Sequence, residues 1–453
     1  MNFSVGHYGQ RSKSGVLLFL SLGLFPGAGH TQEKRDSTKL PFAIADEKRL
    51  DNEDLRNKKE GSYLTGAPDF SSDPVNGIGY GGEGSIFLDG KRSDPFFQYT
   101  AYRMRIDFVA FNTTKSQREF SVKLDIPYIF DTKWRLRVEG AYEANPNLLY
   151  FGQTAKESLQ GLSYLSPSGT LVTDGRYSDY EKYFLVGPNQ FYNNYFKREG
   201  VLNVTLERSF FESKLRSILG FEVGQVNMSV FSGNSLLRDD SEAGRVLGLR
   251  NQFVTISQVG LTYDTRDLEP DPSHGVMIEI ANELSLKALG STYDFDKVFF
   301  HANYYQGILS SVFPKLIFAG RIGIGYTGLN APFYEYQDEW STEGSIEGLG
   351  GPLTLRGYKQ SRFLGRIMNF DNFELRWRFA QTNIFKQHLA FSAVPLMDIG
   401  GVWDQFSRLD FNNLRYSEGM GLRIAWNVNT ILRFDYAWSK EDAQFFFNLA
   451  QAF

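Results

Sequence analysis

With no cysteine and only five histidines, this chain has few residues from which a catalytic centre could be assembled. His274, His301 and His388 are the histidines beyond residue 30, and none falls in a recognisable serine–histidine–acid arrangement, so protease or phospholipase chemistry is not expected. Asp264, Asp267, Glu269 and Asp271 cluster as the ligands of a calcium loop do. Pro270 and Pro272, and the absence of a bidentate glutamate at the required spacing, make them the acids of a turn instead. One stretch remains: Gly351-Pro352-Leu353-Thr354-Leu355-Arg356-Gly357-Tyr358, inside a long polar segment from Gly328 to Asp371. A loop of that length within a compact chain is usually functional or disordered. An arginine clasped between Gly-Pro and Gly-Tyr suits a compact turn that delivers one charge to one place. We expect Arg356 to enter a barrel and meet an acidic patch on its inner wall.

Such a wall is written along the chain as period-two alternation, the mark of strands with one apolar and one wet face. Arg103 to Phe108, Trp134 to Glu139 and Phe373 to Phe379 place apolar residues at every second position and charges between them. Met420/Leu422/Ile424/Trp426 and Leu432/Phe434/Tyr436 repeat the pattern against Arg423, Arg433 and Asp435. Trp, Tyr and Phe crowd the apolar face towards the strand ends, as in the aromatic girdles of a membrane barrel. Short turns (127–133, 211–212 and 268–273) alternate with long loops (145–193, 231–251 and 328–371), again as in an outer-membrane barrel. The expected fold is all-β: a closed antiparallel transmembrane β-barrel of about sixteen strands, with the long external loop folded into the lumen. Its first strand, Ser62–Phe70, carries Gly66 and Pro68 and should pair weakly. Its last is expected over Ala443–Phe453. Glu374 must face the lumen, because Phe373, Leu375, Trp377 and Phe379 face lipid. Asp398 follows Val394 and Leu396 in phase, so the pattern alone does not fix its side; we place it in the lumen, since a charge in lipid is costly.

Residues 1–30 read as a secretory signal, with Arg11 and Lys13 before the apolar run Val16–Phe25 and the small residues Gly27-Ala28-Gly29 after it. No later run reaches the roughly 20 apolar residues of a membrane helix. Residues 31–60 form a charged periplasmic leader, either a disordered linker or a short helix across Asp46–Lys59 anchored by Leu50 and Leu55. Residues 61–453 are the barrel. The net charge of −4 points away from nucleic acid, and no cofactor is called for.

Five motifs, in order on these strands, resemble those of the bacterial surface antigen (BamA–TamA) superfamily of outer-membrane barrels. Leu355-Arg356-Gly357-Tyr358 resembles its signature in the sixth external loop. Leu396-Met397-Asp398-Ile399-Gly400 resembles its Phe-x-Asp-x-Gly segment, with leucine in place of phenylalanine. Asn372 to Arg376 resembles the strand whose glutamate faces the loop arginine. Asp264-Thr265-Arg266-Asp267, with Gly275 opening the next strand, resembles its periplasmic turn, and the run through Phe445, Phe447, Leu449 and Phe453 its terminal assembly signal. The resemblance implies a latch made by Arg356, Gly357 and Tyr358 on Glu374 and Asp398, with Gly400 as motif glycine. It also implies a barrel that is no enzyme and sits as a monomer in outer-membrane lipid, with periplasmic or outer-membrane protein partners. The leader is too short for the POTRA receptor modules of familiar members, so a barrel-only branch is expected.

Two functions follow. The first is insertion, assembly or translocation of outer-membrane components, with a weak seam between the first and last strands exposing edges able to template an incoming strand. The second is a passive channel or a surface-exposed barrel without assembly activity; as a channel, its lumen arginines, Arg135, Arg137, Arg376 and Arg423, would favour anions.

Overall fold

Alternation this regular dictates a wall, and the wall is present. A computed structural model of the chain describes residues 3–5, 39–73, 77–115 and 117–453. Sixteen strands succeed one another in a single antiparallel sheet, each paired with the next. They are β1 Gly61–Asp73, β2 Gly77–Gly90, β3 Met104–Thr113, β4 Arg118–Ile126, β5 Trp134–Leu149 and β6 Asn194–Phe210. Then come β7 Leu215–Val230, β8 Asn251–Asp264, β9 Gly275–Ser285, β10 Phe295–Gly307 and β11 Leu316–Thr327. Finally β12 Ile367–Ile384, β13 Gln387–Trp403, β14 Arg415–Trp426, β15 Thr430–Trp438 and β16 Ala443–Asn448 complete the sheet. Outward residues such as Leu375, Trp377 and Phe379 are exposed, whereas Asn372, Glu374 and Arg376 between them are buried in the lumen. Phe385 and Lys386 both have positive φ, making the two-residue β12–β13 connection a tight hairpin of the kind that right-twisted strands favour.

Two boundaries differ from the sequence reading. β12 starts at Ile367, not Asn372, because Met368 and Phe370 pack against the incoming loop and leave the polar–apolar alternation that pattern reading needs. β16 stops at Asn448, and Leu449–Phe453 leaves the sheet and turns inward. There Arg321 donates to the Ala452 carbonyl, Arg376 donates to the Phe453 carbonyl, and the Phe453 ring lies under both guanidinium groups.

The first strand is expected to pair weakly, at a seam with the last. Among the described pairings none joins β1 to β16. The two ends of the sheet meet through side chains instead: Ala67 packs with Leu432 and Phe447, and the Thr65 and Thr430 hydroxyls lie 2.7 Å apart. Phe3–Val5, inside the expected signal, pairs in parallel with Phe445–Phe447; the rest of that signal lies outside the described residues.

Residues 39–60 are ordered, and the helical alternative is the closer one: a turn of 3-10 helix at Asp46–Lys48 precedes helix α1, Asn52–Asn57, capped by Asp51. They lie across the periplasmic mouth and touch turn after turn. Phe42 packs on Tyr128, Ala45 N donates to the Glu212 carbonyl, and Leu50 N donates to the Gln98 carbonyl. Lys48 is buried 3.7 Å from Asp264, and Lys58 donates to the Phe97 and Thr100 carbonyls. Glu53 pairs with Lys315, and Lys59 donates to Gln387. This is a cap, held by polar anchors spread around the ring.

Burial pushes the Asp54 carboxyl up to about 7, with repulsion from Asp51 adding to the rise. The docked cap therefore prefers Asp54 protonated. That stabilisation is complete below the ordinary carboxylate range and is lost as pH rises through about 7. Protease cleavage within residues 39–60 is expected to increase between about pH 6 and about pH 8, relative to an Asp54→Asn variant that lacks the titration. Parallel pH profiles for the two proteins would contradict this.

Candidate functional site: a loop latch in the lumen

Arg356 is fully buried, and each of its donor groups has an acceptor. Nε and Nη2 straddle the Asp398 carboxylate, both at 2.8 Å, in the fork geometry that guanidinium provides and an ammonium does not. Nη1 reaches Glu374 at 2.6 Å and Asp435 at 3.1 Å. The Arg356 backbone N–H adds a further bond to Asp398 at 3.0 Å. Each acid comes from a different strand: Glu374 from β12, Asp398 from β13, Asp435 from β15. Cross-strand register staggers them by two residues, Glu374 opposite Leu396 and Asp435 opposite Gly421, itself opposite Val394, so all three share one face; Asn372 lies opposite Asp398 and donates to it at 2.8 Å. Asp398 shares its face with buried Val394 and Leu396, which resolves the ambiguity of its side in favour of the lumen.

The glycines of the motif make the approach possible. Gly357 has φ +91°, and a Cβ there would meet the β15 backbone at Trp438 at 2.8 Å. A Cβ on Gly400 would come within 2.5 Å of Leu349, so this glycine is where the loop lies on β13. Tyr358 is buried edge-on against Phe363 in an apolar cluster with Leu349, Leu355, Phe370 and Val402.

Sequence reasoning missed several partners. Asp435 and Arg423 were legible as wet-face charges but were not connected to the latch. Arg423 pairs with Asp435 at 2.5 Å and Glu374 at 3.0 Å, and Arg376 holds the other Glu374 oxygen at 2.8 Å. The loop has further anchors: Thr342 N–H on Glu279 at 2.9 Å, and Lys297 between Glu283 of the wall and Glu335 of the loop, each at 2.8 Å. The periplasmic-turn motif connects both ends of the lumen. Asp264 accepts from Arg266 and Arg216, while Arg266 reaches Glu343 of the external loop at 2.6 Å. Asp267 accepts from the backbone of Ser273 and His274, and Gly275 opens β9. Phe445, Phe447 and Leu449 pack together at the seam, whereas Phe453 does not join them and lies in the lumen.

Ser273, His274 and Asp267 do come together, yet His274 Nδ1 faces both the serine, at 3.4 Å, and the aspartate, at 3.1 Å. A relay needs the two ring nitrogens on opposite partners. The Ser273 hydroxyl also donates directly to Asp267, so the trio tightens a turn. What the lumen residues can do is electrostatic: fix one loop in one position.

A barrel of sixteen strands with apolar exterior, ionic interior and an arginine-latched long loop has the architecture of an outer-membrane barrel. The sequence profile of the Omp85 superfamily domain matches residues 105–453, and the chain belongs to that superfamily of bacterial outer-membrane proteins. A domain of unknown function, DUF5982, matches residues 40–103, which takes in the cap and the first hairpin together. No curated protein matches the chain. Among solved structures it is similar to BamA from Haemophilus ducreyi lacking POTRA domains 1-3, with 15% identity, TM-score 0.50, and coverage of 85% of this chain and 69% of that one. CdiB from Escherichia coli matches at 11% identity and TM-score 0.49, over 83% of this chain and 58% of that one. At these identities the likeness concerns the fold.

Replacing Arg356 by alanine leaves three acids without their central cation. Breaking a buried pair in this way costs about 3–5 kcal/mol, and less where water reaches the lumen. We expect Arg356→Ala to lower the thermal unfolding midpoint well below wild type, and Arg356→Lys to fall between them. A lysine variant as stable as wild type would show that the fork geometry is dispensable.

Proposed function

We propose that this chain acts in the insertion, assembly or translocation of outer-membrane components, using the seam between β1 and β16. The observation that supports it most is the contrast between that seam and the rest of the wall. Every other neighbouring pair is stitched by a backbone ladder, whereas β1 and the last two strands meet through Ala67, Leu432, Phe447 and the Thr65–Thr430 contact. Among the described pairings β1 has a ladder only to β2, and the outer edge of β16 is held by just the three-residue parallel pairing with Phe3–Val5, so this is the place where an incoming strand could most readily add. Membership of the Omp85 superfamily supports the same reading.

The passive-channel alternative draws less support. Its four arginines are each engaged: Arg135 with Asp125 and Glu269, Arg137 with Asp125 and Glu207, Arg376 with Glu374, Arg423 with Glu374 and Asp435. The latch occupies the lumen and the cap lies across its periplasmic mouth. That is a poor design for steady conduction.

The chain has no cysteine, so Thr65→Cys/Thr430→Cys provides a clean reversible lock across the seam. The expected result is loss of other outer-membrane proteins on depletion of the native protein, rescue by the reduced double variant, and no rescue by its oxidised form. Full rescue by the oxidised form would exclude seam opening, and an intact outer-membrane inventory on depletion would exclude the assembly role.

A further inference from the structure

The ion network around Arg356 is not neutral, and the excess sits in one place. Arg356, Arg376 and Arg423 share the three carboxylates Glu374, Asp398 and Asp435. Arg433 is a fourth guanidinium, fully buried on β15, and its nearest carboxylate is Asp435 at 3.8 Å, an acid already held by Arg356 and Arg423. Arg433 Nε and Nη1 have no hydrogen-bond partner. Cross-strand register sets Arg433 between Arg423 on β14 and Asn448 on β16. Asn448 is also buried, and its Nδ2 likewise lacks an acceptor. Arg321, on the same lumen cavity, donates only to neutral oxygens, those of Asn372, Leu353 and Ala452.

Arg433, Asn448 and Arg321 all line one cavity of about 360 Å³. Several carboxylates of that cavity are engaged elsewhere: Asp125 and Glu269 with Arg135, Asp107 with Arg105, Glu343 with Arg266. A buried guanidinium edge with no acceptor is costly, and so is a buried amide N–H. Both costs disappear if one ligand supplies several oxygens and a negative charge.

We propose that the lumen holds a binding site for a small oxyanion, phosphate in its simplest form, held by unpartnered N–H groups of the Arg433 guanidinium and by the Asn448 amide. Hydrogen bonds from a guanidinium to phosphate or carboxylate oxygens are charge-assisted and among the strong ones. The site falls at the last residue of β16, immediately before the chain turns inward, so the bound anion ties the end of that strand to β15. This role is separate from the latch, whose acids bind a cation. It is also independent of whether the barrel assembles other proteins. The same oxyanion chemistry is offered by a free phosphate and by a phospholipid headgroup reaching in through the seam.

The test uses the full chain purified in a phosphate-free non-ionic detergent, with thermal unfolding followed while inorganic phosphate replaces chloride at constant ionic strength. A second arm replaces phosphate with detergent-solubilised phosphatidylglycerol. Wild type is expected to show saturable stabilisation by phosphate. In Arg433→Gln the half-saturating concentration should rise by roughly tenfold or more, as loss of a charge-assisted bond requires. Asn448→Asp supplies the missing acceptor internally. It should therefore be more heat-stable than wild type without phosphate and no longer respond to it. Response to phosphatidylglycerol alone would assign the same site to a headgroup. Stabilisation equal in phosphate and chloride, with no response to phosphatidylglycerol, would overturn the proposal. So would a phosphate response that survives unchanged in Asn448→Asp, a readout that remains even if Arg433→Gln does not fold.

Discussion

Arg356 is removed from water at a large desolvation cost, and the structure tolerates this because acids from three strands converge on it in the lumen. That coincidence demands correct register throughout β12 to β15. A slip of one residue anywhere in that stretch would send Glu374 or Asp435 to the lipid face. The latch therefore does less to add stability than to select one arrangement of wall and loop. Gly357, Gly400 and the apolar bed around Tyr358 serve the same end, by allowing the loop close enough for the guanidinium to reach.

Around this fixed centre the molecule divides into a stiff side and a soft one. From β5 to β8 long ladders join neighbouring strands, and the wall from β9 to β11 is further cross-braced by the loop through Glu279 and Lys297. On the other side β16 is short, its continuation folds into the lumen, and β1 meets β15 and β16 by side chains. The segment Leu449–Phe453 reaches across to Arg321 and Arg376, so the loose edge is tethered to the opposite, rigid wall.

Much of this was legible from sequence, for a physical reason: a membrane wall separates lipid from water, so alternation survives wherever one face meets each. Glu374 could be assigned to the lumen on that ground alone, and Arg356 does reach Asp398, with Gly400 against the loop at Leu349. Legibility failed where both faces are covered. At Met368 and Phe370 the loop buries the inner side, and the alternation that would have extended β12 is gone. Asp435 and Arg423 were visible as wet-face charges, but one-strand patterns carry no information on which strands lie level. The inward turn after Asn448 was missed because Leu449, Phe453 and the residues between them continue an apolar phase that suits a strand equally well. The leader was read as linker or helix because its anchors are charges, and their partners lie hundreds of residues away.

That separation sets the order of events during biogenesis. Glu53 meets Lys315 across 262 positions and Lys59 meets Gln387 across 328, while other cap residues touch turns between β2 and β9. None of these docking points exists together until nearly the whole ring of hairpins has formed. The cap residues are thus expected to be among the last to settle, since contacts so distant in sequence carry the largest loop-closure penalty. A docked cap is accordingly a report that the wall behind it is complete.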